Sequence, residues 1–339
     1  MSLTGELQSK GALLPWFAQR LGTTRPLQTA WRELGAPTIL PPTGANPGVV
    51  GAAFDYRLRY FFTVPEPDSL VAARGVALLA EGGPTIRVDL RTRTQSIVFP
   101  PRWETFAAHL SDVVARADPV GQQPDDEAER ELARCCLLLA RFEAVSRSGR
   151  VAAGPDLAAL SPTASPEEQL AIIPDAAVDD VVALMRGAYR NELCARFGQR
   201  FVANPTFAGS RAVGGADGDM IIGPTLVEVK TTVKPSLRKA QIFQLIGYAL
   251  LDWDDSLQIT DVAFYASRIP ALFGWRLENV LSMLSGREET LASLRAELRV
   301  LCEANHDMRK RGNDALMARF GMSKREPERP SVAELEGKV

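Results

Sequence analysis

The sequence predicts a mixed α/β chain, in the α+β sense, whose largely helical first half precedes a sheet flanked by helices. Three observations carry that expectation. Apolar residues recur with helical spacing through most of the first 150 residues. Between Gly214 and Thr232 the pattern switches to two short β-type runs around a Gly-Pro turn. A helix and two further apolar runs with strand character then follow. With 339 residues, 46% of them hydrophobic and 24% charged, the chain has room for one large domain or two smaller ones.

Taken in order, "GALLPWFAQRLG" reads as a helix and "GAPTILPPTGANPG" as a loop by its turn chemistry. From Val49, "VVGAAFDYRLRYFFTV" and "EPDSLVAARGVALLAEGG" read as helices, the second capped by Asp68 or Ser69. "TIRVDLRTRTQSI" is ambiguous between strand and loop, and a helix is expected from Trp103 to Ala117. "PDDEAERELARCCLLLARFEAVSRSG" is the strongest helix of this half, acidic in its first turn and arginine-bearing later, as the helix dipole favours. The Gly-, Pro-, Ala- and Ser-rich "SGRVAAGPDLAALSPTASPEEQ" marks a boundary or long loop. Beyond it, "DAAVDDVVALMRGAYRNELCARFGQ" is a helix, the Gly214–Thr232 hairpin follows, and Pro235-Ser236 begins the helix "SLRKAQIFQLIGYALLDW". "ITDVAFYASR" and "ALFGWRL" read as strands separated by Ile269-Pro270, and "REETLASLRAELRVLCEANHDMRKR" as a long helix before a polar end. The organisation expected is a helical accessory region over 1–150 that can contribute to the main fold, a linker over 151–174, a core over 175–285 and a C-terminal helix with tail over 286–339.

Composition narrows the chemistry. The sequence shows neither an apolar run long enough for a membrane span nor a secretory-type start, so a soluble, cytoplasmic protein without a membrane partner is expected. Cys135, Cys136, Cys194 and Cys302 lack CxxC spacing and read as buried structural thiols. His109 and His306 are the only histidines, which makes a zinc site, a Ser-His-Asp triad or a Cys-His pair hard to build. Carboxylates, lysine and a hard metal are left to carry any reaction. The net charge of −2 does not announce a nucleic-acid binder, although "RVDLRTRTQ", "RSGR", "KPSLRKAQ" and "HDMRKRGND" can assemble a basic face.

The hairpin concentrates the remaining candidates. Residues two apart on a strand share a face, so Glu228 and Lys230 point the same way, and the facing strand brings Asp219 beside them. An isolated Glu-x-Lys pair in a strand is ordinarily solvent-facing alternation. Two carboxylates, however, suit Mg²⁺ or Mn²⁺, which take one or two protein carboxylates together with waters and phosphate oxygens. A compact lysine cation beside them can orient a water and neutralise charge at phosphorus. The chemistry such a set performs is phosphodiester hydrolysis.

Asp219, eight residues, then Glu228-Val229-Lys230 resembles the PD-(D/E)XK phosphodiesterase superfamily, and Gln244-Leu-Ile-Gly-Tyr248 resembles the QxxxY motif of its RecB-type branch. The resemblance spans Asp175 to Leu277, roughly a third of the chain, and departs from the family pattern at Gly218, where a proline usually precedes the first acidic residue. It implies a restriction-endonuclease-like core and a Mg²⁺- or Mn²⁺-dependent DNA nuclease acting on single- or double-stranded DNA in repair or in defence against foreign DNA. Asp219 and Glu228 would hold the metal, Lys230 would act at the water, and Gln244 and Tyr248 would contact the strand or support the site. Glu192 in "YRNELC" and Asp55 in "VVGAAFDYRLRY" are alternatives for the family's upstream ligand, and Gln241 and Arg238 are candidate substrate contacts. The family's cluster-bearing members carry a cysteine trio downstream of the lysine, whereas here Cys302 stands alone, so neither an iron-sulfur cluster nor zinc is expected. The helical first half is expected to serve as clamp, lid or protein-partner module. The alternatives are a turnover-deficient binding protein on the same fold and an RNA-directed nuclease.

Overall fold

In this computed structural model, residues 2–8, 11–33, 40–81, 85–89, 94–98, 103–148, 157, 164–232 and 237–319 are described. The chain begins with three short helices, Leu3–Glu6 (α1), Leu14–Leu21 (α2) and Arg25–Glu33 (α3). Pro47–Phe62 (α4) starts where the Asn46 side chain accepts the Gly48 and Val49 N–H groups, with Pro47 in the first turn where its missing donor costs nothing. Val71–Glu81 (α5) follows, and the ambiguous "TIRVDLRTRTQSI" becomes an antiparallel hairpin of Thr85–Asp89 (β1) and Thr94–Val98 (β2). Trp103–Ala117 (α6) and Asp126–Ser148 (α7) lie where periodicity places them. Most of the expected linker, 151–156 and 158–163, lies outside the described residues, and Pro166–Ala171 (α8) emerges from its end behind a Ser165/Glu168 capping box.

The second half supplies Asp175–Tyr189 (α9), Phe201–Ala203 (β3), Met220–Ile222 (β4), Thr225–Lys230 (β5), Lys239–Leu251 (α10), Asp261–Ala266 (β6), Ala271–Arg276 (β7), Leu277–Ser285 (α11) and Leu291–Arg319 (α12). Five strands form one mixed sheet in the order β3-β4-β5-β6-β7. The β5–β6 pair is parallel and the others antiparallel, because α10 carries the chain back across the sheet between those two strands. Gly223 closes the β4–β5 turn at φ +58°, a left-handed value that glycine takes at no steric cost. Sequence reasoning did not identify α1, α3, α8, β3 or α11. Pro235 and Ser236, expected to begin the helix of α10, lie outside the described residues, as does the tail beyond Arg319. Among the described residues no helix is long and apolar enough to cross a membrane.

Strand alternation divides the buried residues into two cores. Met220, Ile222, Val227, Ala263 and Tyr265 face the helices α4, α6, α7 and α9, whereas Ile221, Leu226, Val262 and Phe264 face α2, α3, α10 and α11. Each core therefore mixes residues from before and after the expected linker, and the first 150 residues contribute to the fold on both faces of the sheet. Buried ion pairs tie the layers together. The Arg57 guanidinium of α4 donates twice to Glu129 of α7 at 2.8 Å and also reaches the Tyr189 hydroxyl of α9. Arg268, just after β6, binds both oxygens of Asp180 on α9. Such pairs fix register more than they add stability, since desolvation offsets much of their attraction.

The sheet-facing side of α10 is anchored by Ile242, Phe243, Ile246 and Leu250, all fully buried. Ile246→Ala should cost about 2–5 kcal/mol, the transfer term plus the cavity left in a core that cannot fully collapse. Urea denaturation of the variant checks this, and a midpoint unchanged from wild type would show that α10 does not dock through this residue.

Candidate active site at the hairpin

Asp219 immediately precedes β4, and the antiparallel register that sets Met220 opposite Val227 carries one step further to put Asp219 opposite Glu228. Parity then decides which way these side chains point. Asp219 shares the face of Ile221, while Glu228 and Lys230 share that of Leu226, and this is the face covered by α10. One Asp219 oxygen accepts the Val229 N–H at 2.7 Å, and the Lys230 ammonium donates to Glu228 Oε1 at 2.6 Å. The sequence expectation that these three residues meet is thus realised at the Lys230 end of the strand.

Asp55 joins them from the opposite layer. Gly51 of α4 abuts Thr231, just past β5, close enough that a Cβ there would stand 3.4 Å from the threonine Cβ. Asp55 lies one turn further along the same helix face, near enough for its charge and that of Asp219 to repel. Its Oδ2 is bound by Arg59 at i+4, whereas its Oδ1 is buried with no hydrogen-bond partner among the described residues. Glu192 is placed elsewhere: exposed, in a surface hollow with Arg196, Thr225 and Asp261, at the other end of β5 from Lys230. Of the two upstream candidates, the structure brings only Asp55 to the cluster.

The electrostatics show an excess of buried negative charge. Burial pushes the Glu228 carboxyl up to about 7, with Asp219 pushing the same way and Lys230 opposing. Asp55 is likewise raised by burial to about 7, against the pull of Arg59 and with repulsion from Asp219 and Glu143. Asp219 is raised by burial, opposed chiefly by Lys230 and by the Val229 N–H. The Lys230 ammonium is favoured by Glu228 and Asp219, which outweigh its desolvation. Three crowded carboxylates resist ionising together, and a divalent cation removes that repulsion. As they are placed, no three Asp, Glu, His or Cys side chains among the described residues stand together as a metal-holding group. Lys230 and Arg59 engage Glu228 and Asp55 instead. Mg²⁺ needs only one or two protein carboxylates, and the oxygens of Asp219 and Glu228 have the hardness it takes.

On α10, Gln244 donates to the Tyr248 hydroxyl at 2.7 Å and to Thr4 of α1 at 3.3 Å, while the Tyr248 ring stacks on Phe207 at 5.3 Å between centroids. The Tyr248 phenol is pushed above its ordinary range by burial first, then by the negative charge of Glu228 and Asp219, so it stays neutral beside the carboxylates. Because it accepts from Gln244, its own proton is free to be donated. Gln241 is committed locally, its side-chain oxygen accepting the Arg238 N–H at 2.8 Å as a cap on α10. Arg238 is exposed and near enough to Lys230 for their charges to interact. Asp217, two residues before Asp219, is half-buried and paired with Arg147 at 3.0 Å.

Arg59 is the residue that sequence reasoning missed. The signal was available in the Asp55-to-Arg59 spacing of i, i+4 on α4, but a surface ion pair has the same spacing. The cysteines are all buried and unpaired, and burial pushes the Cys135 thiol up to about 12. Comparison with family models, with curated proteins and with solved structures finds no match to this chain.

Proposed function

We propose that the chain is a metal-dependent nuclease of the PD-(D/E)XK type on a restriction-endonuclease-like core. The observation that carries the reading is the convergence of Asp219, Glu228 and Lys230 on one sheet face, beneath a helix whose Tyr248, hydrogen-bonded by Gln244, lies within electrostatic reach of the two carboxylates. The order of antiparallel strands, crossover helix and parallel strand supports the core assignment. Mg²⁺ or Mn²⁺ held by Asp219 and Glu228, with Asp55 beside them, would supply Lewis-acid stabilisation of charge on the phosphoryl oxygens. Lys230 orients the attacking water and faces the negative charge that builds at phosphorus as the new P–O bond forms and the ester P–O bond breaks. Tyr248, aligned by Gln244 and held neutral, donates a hydrogen bond to a substrate oxygen.

Incubation with single-stranded DNA, duplex DNA and RNA in Mg²⁺, Mn²⁺ or EDTA tests the reading. Cleavage of DNA with either metal and none in EDTA is expected. Absence of turnover on every substrate would overturn the proposal and leave a binding protein. Gln244→Ala and Tyr248→Phe should each slow cleavage, but less than loss of Lys230, because positioning groups supply only part of the barrier reduction. Wild-type rates in both, measured under single-turnover conditions, would remove the RecB-type assignment while leaving the broader nuclease reading in place.

A further inference from the structure

A cleft of about 780 Å³ opens between the helices of the first half and the loop that leads into β4. Arg59 of α4, Arg74 of α5, Arg147 of α7 and Arg211 of the loop all line it, and among the described lining residues Asp217 is the one acidic side chain. Asp217 is already paired with Arg147. Arg74 and Arg211 are exposed and form no ion pair among the described residues, so the cleft carries uncompensated positive charge in a chain whose net charge is −2.

The second observation is Arg59 itself. It is only 2% exposed, and while one guanidinium nitrogen binds Asp55, its Nε and Nη1 are buried without a partner among the described residues. Orphaned buried donors on a cation are costly, and a guanidinium fork is shaped to give two parallel bonds to one phosphate. Arg59 also interacts through its charge with Asp219, so the cleft runs toward the acidic cluster.

We infer that this cleft binds the sugar-phosphate backbone of a single nucleic-acid strand, with Arg59 gripping the phosphate nearest the hairpin and Arg74 and Arg211 holding those further out. The direction of the strand toward the hairpin rests on the nuclease reading, but the binding itself does not. Size selects the single strand. A cleft in the range of ~300–1,000 Å³ encloses a ligand of one or a few nucleotides, whereas a rigid duplex would meet it along one edge only. Among the described residues no aromatic ring lines the cleft, so the affinity rests on electrostatics rather than on base stacking. DNA and RNA present the same backbone phosphates, and the sugar decides between them.

Fluorescence anisotropy of the full chain in EDTA, with labelled single-stranded DNA, single-stranded RNA of the same sequence and the DNA duplex, separates binding from cleavage. At least one single strand should bind about tenfold tighter than the duplex, and the tighter of the two identifies the sugar. Arg74→Gln combined with Arg211→Gln, both surface changes, should weaken that binding about tenfold. The double substitution should also make the slope of log K against log salt shallower by about 1.4, two phosphate contacts at ~0.7 each. Equal or tighter duplex binding, or a double variant with wild-type affinity and salt slope, overturns the inference. Arginine-dependent binding without cleavage in any metal would sink the nuclease reading and leave the cleft assignment standing. Cleavage that persists with no effect of the double variant would do the reverse.

Discussion

Lys230→Ala is expected to lose phosphodiester cleavage by about 10²–10³-fold or more while remaining folded, the loss typical of removing a preorganised charge-stabilising donor. The lysine is bonded to Glu228 at 2.6 Å and held by the fields of Glu228 and Asp219. Among the described residues no neighbouring cation duplicates it. Arg238 interacts with it only as a repelling charge from the exposed start of α10, and Arg59 engages Asp55 and the cleft rather than Glu228. The substitution also strips the buried Glu228 of its partner, and a carboxyl already raised to about 7 will then hold its proton more tightly. The comparison with wild type should therefore be run at pH 8, where that side effect is smallest. Lys230→Arg should not restore the rate, because a planar fork cannot sit where a compact ammonium fits. Single-turnover cleavage in Mn²⁺, with near-ultraviolet circular dichroism as the folding control, is the measurement. Near-normal turnover by a folded Lys230→Ala protein would remove the central claim.

Asp219→Ala and Glu228→Ala should each abolish activity together with divalent-ion binding, since a hard cation that loses one of two carboxylates loses much of its local charge. The two variants should differ in stability. Asp219 accepts the Val229 N–H, so alanine there leaves a partly buried donor unpaired at a cost of about 1–3 kcal/mol, whereas Asp219→Asn keeps an oxygen in place. Calorimetry with Mn²⁺ showing wild-type affinity in both would mean that the hairpin is not the metal site.

The same carboxylates set a pH dependence. Glu228 and Asp55 have folded-state values near 7, above the ordinary 4.5 and 3.8, so their contribution to stability is complete below about pH 4 and is lost as pH rises through 7. A cation binds the ionised forms, so Mn²⁺ should raise the melting temperature of wild type more at pH 8 than at pH 6. Equal protection at the two pH values would argue that these groups do not meet the ion.

Much of the local architecture was written in the chain. Helical periodicity places α4, α6, α7 and α12 and the start of α9, because an apolar stripe leaves few other ways to bury itself, whereas α9 ends at Tyr189, ten residues short of the expected run to Gln199. The Gly223-Pro224 turn and the two-residue spacing of Glu228 and Lys230 suffice to put those side chains on one face, since strand parity is a local property. Short elements were not legible: β3 has three residues and takes its strand form from pairing with β4. The choice between Asp55 and Glu192 was equally beyond local pattern, because both are acidic residues in or beside helices and only long-range packing separates them. The contact of Gly51 with Thr231 brings α4 over the end of β5, and α4 then delivers Asp55 to Asp219 and turns Arg59 toward the cleft, while Glu192 is left at the far end of the strand. The sequence by itself determined the hairpin and its three ionisable residues through interactions spanning a dozen positions. Only the tertiary structure decided which fourth carboxylate and which arginine join them, because that depends on how two helical layers, distant in sequence, close over the two faces of one sheet.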